Sequence, residues 1–364
     1  MRYLRYLLIF VPLAFLAEFV LHNDLLIFLF SAIGLIPLAG LLGEATEELA
    51  IHTGPKIGGL LNATLGNAAE LIITIVALRA GQITLVKASI VGSILGNLLL
   101  ILGLSLLLGG LKNGRQRFDR GLAGMSSTMM FLSVIGLLIP TFFELIHKIQ
   151  QGQPLFTESP DPSLDILSLG VAAILIIIYI FSLIFSFQSP EVGIGKDVGV
   201  DDHAEEKEHH QPKWSVRTSA AVLTIATLAI VFMSEFLVGA VEPVVRELGV
   251  SELFLGVILI PLVGNVAEHL VGVQVAYKNK MDLSLTISLG SSMQIALFVA
   301  PLLVFISLLF GDEMTLFFNP FEVVVLALSV IIAGQIAEDG ESNWLEGAQL
   351  LAVYVVAGLG FLLL

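Results

Sequence analysis

One pentapeptide occurs twice in this chain, each time inside a hydrophobic stretch long enough to cross a bilayer. Residues 66–70 read Gly-Asn-Ala-Ala-Glu, and residues 264–268, which lie 198 positions later, read Gly-Asn-Val-Ala-Glu. The same offset aligns further residues without a gap: Glu44 with Glu242, Gly58 with Gly256, Leu85 with Leu283, Gly92 with Gly290, Ser93 with Ser291 and Leu99 with Leu297. A glutamate at membrane depth costs roughly 2.5–3.5 kcal/mol on insertion scales. Two glutamates at matched positions therefore indicate an intramembrane site.

The composition restricts the class of protein. The chain is 56% hydrophobic and 13% charged, with a mean hydropathy of +0.95, which is typical of a polytopic integral membrane protein in a lipid bilayer. The net charge of −14 and the lack of a basic stripe give nucleic-acid binding no support. Because the chain has no cysteine, any bound metal must take oxygen or imidazole ligands.

Apolar windows of about 20 residues per crossing predict an all-α fold of eleven transmembrane helices. They lie near 3–21, 25–49, 56–79, 84–111, 122–142, 163–187, 217–245, 252–277, 281–310, 320–338 and 343–364. The connections are short except for the 143–162 loop and the acidic segment 188–216, which holds seven acids, three lysines and three histidines. We interpret the acidic segment as a solvated linker.

The helices divide into two equal groups. Residues 1–22 form an extra N-terminal transmembrane helix, which we expect to be retained rather than cleaved as a signal peptide. Residues 23–187 and 217–364 then hold five helices each, joined by the linker 188–216. An odd number of crossings places the second group in the membrane with opposite polarity. Inverted repeats of this kind are typical of secondary transporters, whose sites lie between the repeats near the midplane.

The distribution of basic residues predicts the orientation. With the N-terminus in the cytoplasm, 13 of the 17 Lys and Arg residues fall in cytoplasmic segments, and only Arg79, Lys87, Lys148 and Arg246 fall outside. The positive-inside rule therefore favours a cytoplasmic N-terminus and linker, with the C-terminus on the opposite side. We expect the location to be the plasma (inner) membrane.

The repeated pentapeptides present the same chemistry in each half. Asn67 and Glu70 are three residues apart and share a helix face, as do Asn265 and Glu268. Pro261 removes one backbone hydrogen bond and leaves the Val257 carbonyl without its usual partner. That carbonyl either binds a cation or forms part of an ordinary packing kink. The glycines Gly58, Gly59 and Gly66 could loosen the first repeat in the same way.

The helix after each pentapeptide adds further polar side chains, namely Ser93, Asn97, Ser291, Ser292 and Gln294. A hard divalent ion such as Ca²⁺ takes six to eight oxygen ligands at about 2.3–2.6 Å, of which two carboxylates supply at most four. Amides, hydroxyls, carbonyls and water would supply the rest. These serines and amides either bind the cation and orient its ligands, or form hydrogen bonds between helices.

The charge balance of such a site predicts its mechanism. Two carboxylates close together in a low-dielectric cavity do not readily both ionise, so at least one holds a proton when no cation is bound. A divalent cation requires both as carboxylates. Metal and protons would therefore compete for the same oxygens, which is the coupling that a proton antiporter needs.

At these residues the sequence resembles the Ca²⁺/cation–proton exchanger family (CAX) of the cation/Ca²⁺ exchanger superfamily. The resemblance rests on residues 66–72 with 92–97, and on residues 264–269 with 291–295. It implies that Glu70 and Glu268 bind Ca²⁺ and carry protons, surrounded by the amides of Asn67, Asn97, Asn265 and Gln294. It also implies that the helices of residues 25–49 and 217–245 form a sliding gate. Sodium–calcium exchangers usually carry Ser/Thr-rich motifs ending in Pro-Glu or Pro-Asp, so alanines at 68–69 favour proton coupling.

Other acidic residues are weaker candidates. Glu44, Glu235 and Glu242 are predicted as relay or gate residues, with solvation or a polar helix contact as the alternative. Glu18, Glu144 and Glu322 are interpreted as residues at helix boundaries. His269 follows Glu268 but points about 100° away around the helix, so direct ligation is not expected.

The sequence leaves a few functional alternatives. Na⁺-coupled Ca²⁺ exchange would need sites for a monovalent ion, and no third repeated polar cluster is present in the spans. A passive divalent-cation channel remains open. An intramembrane enzyme is not expected, because the spans lack a nucleophile–base pair, a His-Glu-x-x-His motif and a phosphate-binding glycine loop. We expect no cofactor, transported Ca²⁺ or another divalent such as Mn²⁺ together with H⁺, and leave a homo-oligomer open.

Overall fold

The computed structural model describes residues 4–154, 161–188, 212–311 and 313–364 of an almost entirely helical chain. The helices are α1 (Leu4–Leu21), α2 (Asp24–Thr53), α3 (Pro55–Leu65), α4 (Ala68–Arg79), α5 (Ile83–Asn113), α6 (Arg120–Gln151), α7 (Pro162–Gln188), α8 (Val216–Leu248), α9 (Glu252–Tyr277), α10 (Met281–Ser307), α11 (Pro320–Glu338) and α12 (Trp344–Leu363). Among the described residues, ten helices are long and apolar enough to cross a membrane, and the bent pair α3–α4 makes an eleventh. The all-α membrane fold is therefore confirmed.

The gate helices predicted from the resemblance lie side by side. Helices α2 and α8 make the most extensive helix–helix contact in the described chain, and each also packs on the pentapeptide helix of the other half, α2 on α9 and α8 on α4. Helix α1 lies along both, since Phe10 contacts Phe30 of α2 and Phe15 contacts Phe236 of α8. Movement of either helix would therefore directly displace its contacts with a pentapeptide helix.

Helices α5 and α9 cross at glycines that allow their backbones to touch. A Cβ atom on Gly92 would lie 2.1 Å from the carbonyl oxygen of Val257, and one on Gly256 would lie 2.5 Å from the Cβ of Ala88. Only glycine permits so close a backbone approach, as is common between helices in membranes. The crossing joins the first half of the chain to the second just beside Ser93.

Helix α6 is longer than the sequence predicts. The predicted loop over 143–162 is wrong in its first part, because the helix continues to Gln151 and ends at Gly152, which has a left-handed φ of 66°. Glu144 and Lys148 form an ion pair at 3.2 Å on consecutive turns, with both side chains 2% exposed. The interpretation of Glu144 as a boundary residue is therefore wrong, because Glu144 lies inside the helix and its ion pair with Lys148 is buried.

The described residues 313–319, between α10 and α11, form no helix and include a buried stretch. Residues 314–318 are buried, and hydroxyl groups from neighbouring helices hold their backbone. The Leu316 amide donates to Ser168 Oγ of α7 at 3.0 Å, and the Phe318 amide donates to Thr141 Oγ1 of α6 at 3.0 Å. These side chains satisfy backbone groups that would otherwise be costly to bury.

Loops at the opposite end of the bundle are joined by two short strands that the sequence did not predict. Strand β1 (Gln116–Arg117) pairs antiparallel with β2 (Glu341–Ser342), and the Gln116 side chain donates to the Ala276 carbonyl at 2.9 Å. The β-hydrogen bonds tie the loop after α5 to the loop before α12. The central part of the predicted acidic linker, residues 189–211, lies outside the described residues.

Candidate functional site

Glu70 of the first pentapeptide packs against the second pentapeptide, across the boundary between the halves. Glu70, in the first turn of α4, is only 5% exposed, and its Cγ lies 3.2 Å from where a Cβ on Gly264 would be. The Glu70 side chain therefore contacts the glycine that begins the second pentapeptide. Glu268 lies one turn after Gly264 on the same helix, so the carboxyl groups of Glu70 and Glu268 lie in the same region.

Each of these carboxylates has one buried oxygen without a hydrogen-bond partner in the described part of the chain: Oε1 of Glu70 and Oε2 of Glu268. Buried polar atoms are nearly always paired, and a buried, unpaired carboxylate is costly. A proton or a cation would satisfy both oxygens. The pair is therefore chemically suited to bind either.

The first pentapeptide lies at a break in the helix. The sequence predicts one helix over 56–79, but α3 and α4 meet at an angle of 41°, with Gly66 and Asn67 between them. Although it occupies the N-cap position of α4, Asn67 makes no side-chain capping bond there. Its amide nitrogen donates instead to Gln294 Oε1, and its amide oxygen accepts from Ser291 Oγ at 3.2 Å. The break releases Asn67 to bond across the two halves.

The second pentapeptide lies on an unbroken helix. In α9 a π-helical turn, Leu255–Leu259, precedes Pro261, so the distortion occurs before the pentapeptide. The Val257 carbonyl oxygen is directed at the backbone of Gly92. This carbonyl packs against α5, and its part as a cation ligand stays a prediction.

A hydrogen-bond network links the helices that follow the two pentapeptides. Asn97 Nδ2 of α5 donates to Ser291 Oγ of α10 at 3.0 Å, and Asn265 Nδ2 donates to Ser93 Oγ at 3.3 Å. Ser291 also lies near the Glu268 carboxylate. Both helices contain a π-helical turn at this level: Gly96–Ile101 of α5 includes Asn97, and Ile295–Val299 of α10 directly follows Gln294. Such turns are frequent at functional sites.

The structure therefore brings together eight of the nine predicted metal-site residues: Glu70, Glu268, Asn67, Asn265, Ser93, Asn97, Ser291 and Gln294. We call these eight residues the central site. The ninth, Ser292, is fully buried and donates its hydroxyl to the Ser288 carbonyl of its own helix at 2.9 Å. Ser292 thus bonds within its own helix, whereas its neighbour Ser291 bonds to residues from the other half of the chain.

Each of the three predicted relay or gate residues forms an ion pair with an arginine outside the central site. Glu44 pairs with Arg5 at 2.8 Å, and Glu235 pairs with Arg79 at 3.6 Å. Glu242 pairs with Arg246 one turn later on α8. The Glu235 and Glu242 side chains are 40% and 67% exposed, so Glu235 is less buried than its position in the sequence suggests. Their part in proton transfer or gating stays a prediction.

Two buried residues near these elements were missed or given little weight in the sequence. His269 is 6% exposed, and within the described residues neither ring nitrogen has a hydrogen-bond partner. Glu48 of α2 is also 6% exposed and accepts a hydrogen bond from the Trp214 amide at 3.1 Å. The sequence offered one signal for Glu48, namely its position one turn after Glu44 on the same helix. Its partner lies on a distant segment and cannot be read from the sequence.

Comparisons with known proteins agree with this architecture. The family model described as "Sodium/calcium exchanger protein" matches residues 23–188 and 218–363. A Ca²⁺/H⁺ antiporter from Aphanothece halophytica is 44% identical over 366 residues, covering 98% of this chain and 95% of its own length. The vacuolar calcium ion transporter of Schizosaccharomyces pombe is 37% identical, with 99% and 84% covered. The solved structure of native YfkE superposes with a TM-score of 0.82 at 37% identity, covering 99% of this chain and all of YfkE.

Proposed function

Because the chain belongs to the sodium/calcium exchanger protein family, we propose that it is a secondary active transporter exchanging Ca²⁺ for protons across a membrane. The single observation that carries this proposal is the pair of carboxylates, Glu70 and Glu268, each with one buried oxygen that has no hydrogen-bond partner among the described residues. Relatives named as Ca²⁺/H⁺ antiporters match almost the whole chain, which supports the same assignment. Related divalent cations such as Mn²⁺ are further candidate substrates.

The central site would act by exchanging charge. With no cation present, repulsion between the two carboxyl groups favours a bound proton on at least one of them. Ca²⁺ binding brings two positive charges into the same space and favours release of those protons. Asn67, Asn97, Asn265 and Gln294 would orient the site or complete the oxygen shell. The transport step involves no covalent chemistry, so we propose no enzymatic activity.

Alternating access would arise from movement of α2 and α8 against the pentapeptide helices. We propose that residues 23–187 and 217–364 are inverted five-helix repeats with the linker 188–216 between them, and that residues 1–22 add a separate helix. The contacts of α2 with α9 and of α8 with α4 support this arrangement, because each gate helix packs on the pentapeptide helix of the other half. The two halves would then expose the site to one side at a time.

We propose the plasma (inner) membrane as the location, with the N-terminus in the cytoplasm and the C-terminus outside. The asymmetry of Lys and Arg residues supports this orientation. A homo-oligomer is compatible with the exposed apolar faces of the spanning helices. Accessibility of single cysteines placed at residues 115 and 312 to an impermeant thiol reagent would test the orientation, since the chain has no native cysteine.

Transport in vesicles tests the proposed coupling. Purified protein is reconstituted into liposomes, and Ca²⁺ uptake is measured under an imposed pH gradient, an imposed Na⁺ gradient, or neither. We expect uptake to follow the pH gradient and to be accompanied by proton movement in the opposite direction. Uptake that follows only the Na⁺ gradient would support a Na⁺-coupled exchanger. Ca²⁺ flux without proton movement would support a channel.

Adjacent serines on α10 provide a matched test of the network. Ser291→Ala removes hydrogen bonds to Asn67 and Asn97, whereas Ser292→Ala removes a bond only to its own helix. Because a lost buried hydrogen bond costs about 1–3 kcal/mol, we expect roughly a tenfold rise in the half-saturating Ca²⁺ concentration for Ser291→Ala. We expect less than about a twofold rise for Ser292→Ala. Equal effects of the two substitutions would remove Ser291 from the proposed site.

A further inference from the structure

A second group of cation-binding side chains lies at the end of α6, outside the central site. Glu144 and His147 lie on the last turns of α6, and Asp161 immediately precedes α7. One candidate ligand atom from each of these residues lies within 4.8 Å of the other two. We call these three residues the α6–α7 cluster. None of them belongs to the repeated pentapeptides, so the transport hypothesis does not explain their convergence.

Glu144 gives the cluster a buried anionic anchor. Its side chain is 2% exposed, and Lys148 pairs with one of its oxygens, Oε1, at 3.2 Å. The second oxygen, Oε2, is buried and has no hydrogen-bond partner among the described residues. Lys148 therefore pairs with only one of the two oxygens of the Glu144 carboxylate. A buried, unpaired acceptor is costly and needs an explanation.

His147 and Asp161 form the more accessible part of the cluster. His147 Nδ1 lies 2.6 Å from Asp161 Oδ2, and the other ring nitrogen lies 2.6 Å from Gln151 Nε2. The Asp161 carboxylate also accepts a hydrogen bond from the Ser163 amide at 2.8 Å. With 34% of His147 and 14% of Asp161 exposed, an ion could enter from solvent.

We propose that Glu144, His147 and Asp161 form a binding site for a first-row divalent cation of the Zn²⁺ type. One imidazole and two carboxylates are ligands that such ions accept, and three protein ligands with water as the fourth give a common zinc arrangement. Ligand bonds of about 2.0–2.2 Å place two ligand atoms at most about 4.4 Å apart. The separations in the cluster need only small side-chain adjustments to reach that range.

The imidazole distinguishes this site from the central site. Glu70, Glu268 and the side chains bonded around them offer oxygens and amides, which suit a hard ion such as Ca²⁺. The α6–α7 cluster adds a nitrogen ligand, which favours Zn²⁺ over Ca²⁺. Lys148 compensates one of the two carboxylate charges, so with a neutral imidazole the cluster keeps a net negative charge that attracts a cation.

Cation binding here would also stabilise the buried segment 314–318. An ion shared by Glu144 and Asp161 joins the end of α6 to the start of α7. These helices carry Thr141 and Ser168, whose hydroxyls hold the backbone of that segment. The ion would thereby reduce the opening of a non-helical stretch of chain far from the pentapeptides in the sequence.

Zn²⁺ titration of the purified full-length chain tests the proposal. The background variant carries Glu70→Gln and Glu268→Gln, which remove the central carboxylates, and His203→Asn, His209→Asn and His210→Asn, which remove the linker imidazoles. Calorimetry should show one Zn²⁺ bound per chain in this background. Adding His147→Asn or Asp161→Asn should weaken that binding at least tenfold. The control His22→Asn should leave it unchanged, since His22 is an exposed histidine whose left-handed φ of 52° suits asparagine.

The outcomes separate a built site from adventitious binding. A background that binds no Zn²⁺, or binds it equally after His147→Asn, contradicts the proposal. Because Glu144→Gln removes the carboxylate that pairs with the buried Lys148 and is expected to impair folding, the Asp161→Asn variant, at a partly exposed side chain, provides the independent test. Zn²⁺ should also raise the melting temperature of the background but not of the His147→Asn variant. Failure of Ca²⁺ exchange would leave this result unaffected, because the central carboxylates are absent throughout.

Discussion

Replacing either Glu70 or Glu268 with glutamine is expected to reduce proton-coupled Ca²⁺ uptake by about 100-fold or more. Each substitution keeps the shape of the side chain but removes one of the two charges that face a divalent ion. Removing one partner of a buried charge interaction costs about 3–5 kcal/mol, and each 1.4 kcal/mol is a factor of ten in affinity. The glutamine also cannot carry a proton, so both the Ca²⁺ and the H⁺ steps are lost. Uptake into liposomes under a pH gradient measures the effect.

Glu47→Gln provides the matched control for this experiment. Glu47 is a glutamate on α2, but its side chain is exposed, and it takes no part in the central site. We expect its uptake rate to stay within about twofold of the parent, because exposed charges contribute little. All three variants should elute as monodisperse protein, which separates a lost function from a lost fold. Near-parental exchange by either Glu70→Gln or Glu268→Gln would show that the carboxylate pair is not the exchange site.

Gly92→Ala is expected to lower the melting temperature strongly, whereas Gly290→Ala at the equivalent repeat position is not. A Cβ on Gly92 would lie 2.1 Å from the Val257 carbonyl oxygen and 2.6 Å from its carbonyl carbon, while one on Gly290 meets nothing within 4 Å. Because backbone atoms cannot rotate away, α5 and α9 must separate. Overpacking of this kind costs about 1–3 kcal/mol, which corresponds to several degrees in a chain of this size.

The glycine substitution should also slow transport. Ser93 follows Gly92 and accepts the hydrogen bond of Asn265, so separating the helices disturbs a contact within the central site. Thermal unfolding in detergent and uptake in liposomes measure the two effects on the same preparation. Equal melting temperatures for Gly92→Ala and Gly290→Ala would contradict the close α5–α9 crossing.

The repeat in the sequence was sufficient to identify most of the central site. Matched positions pointed to Glu70 and Glu268, and helical spacing placed Asn265 on the face of Glu268, whereas Asn67 lies at the break before α4. Hydropathy identified the spans, because apolar length directly reflects the thickness of the bilayer. These features depend on short-range periodicity, which the sequence displays directly.

Features that depend on a distant partner were not predictable. Where α6 continues through Glu144, Lys148 pairs with that carboxylate, and the Lys148 ammonium lies 4.6 Å from the centre of the Phe317 ring. The direction of the Val257 carbonyl depends on Gly92 in the other half of the chain. The two halves also differ where the repeat predicts likeness, since α3–α4 breaks at Gly66 and Asn67 whereas α9 distorts before Pro261. Sequence equivalence therefore preserved the side chains of the site more closely than the backbone around them.

Proton release on Ca²⁺ binding tests most directly whether one pair of carboxylates binds either protons or the cation. Purified protein in a weakly buffered detergent solution at neutral pH is mixed with saturating Ca²⁺ while the solution pH is recorded. We predict release of at least one proton per chain by the parent, and none by the variant carrying Glu70→Gln and Glu268→Gln. Ca²⁺ binding by the parent without proton release, or unchanged release by the double variant, would contradict the account.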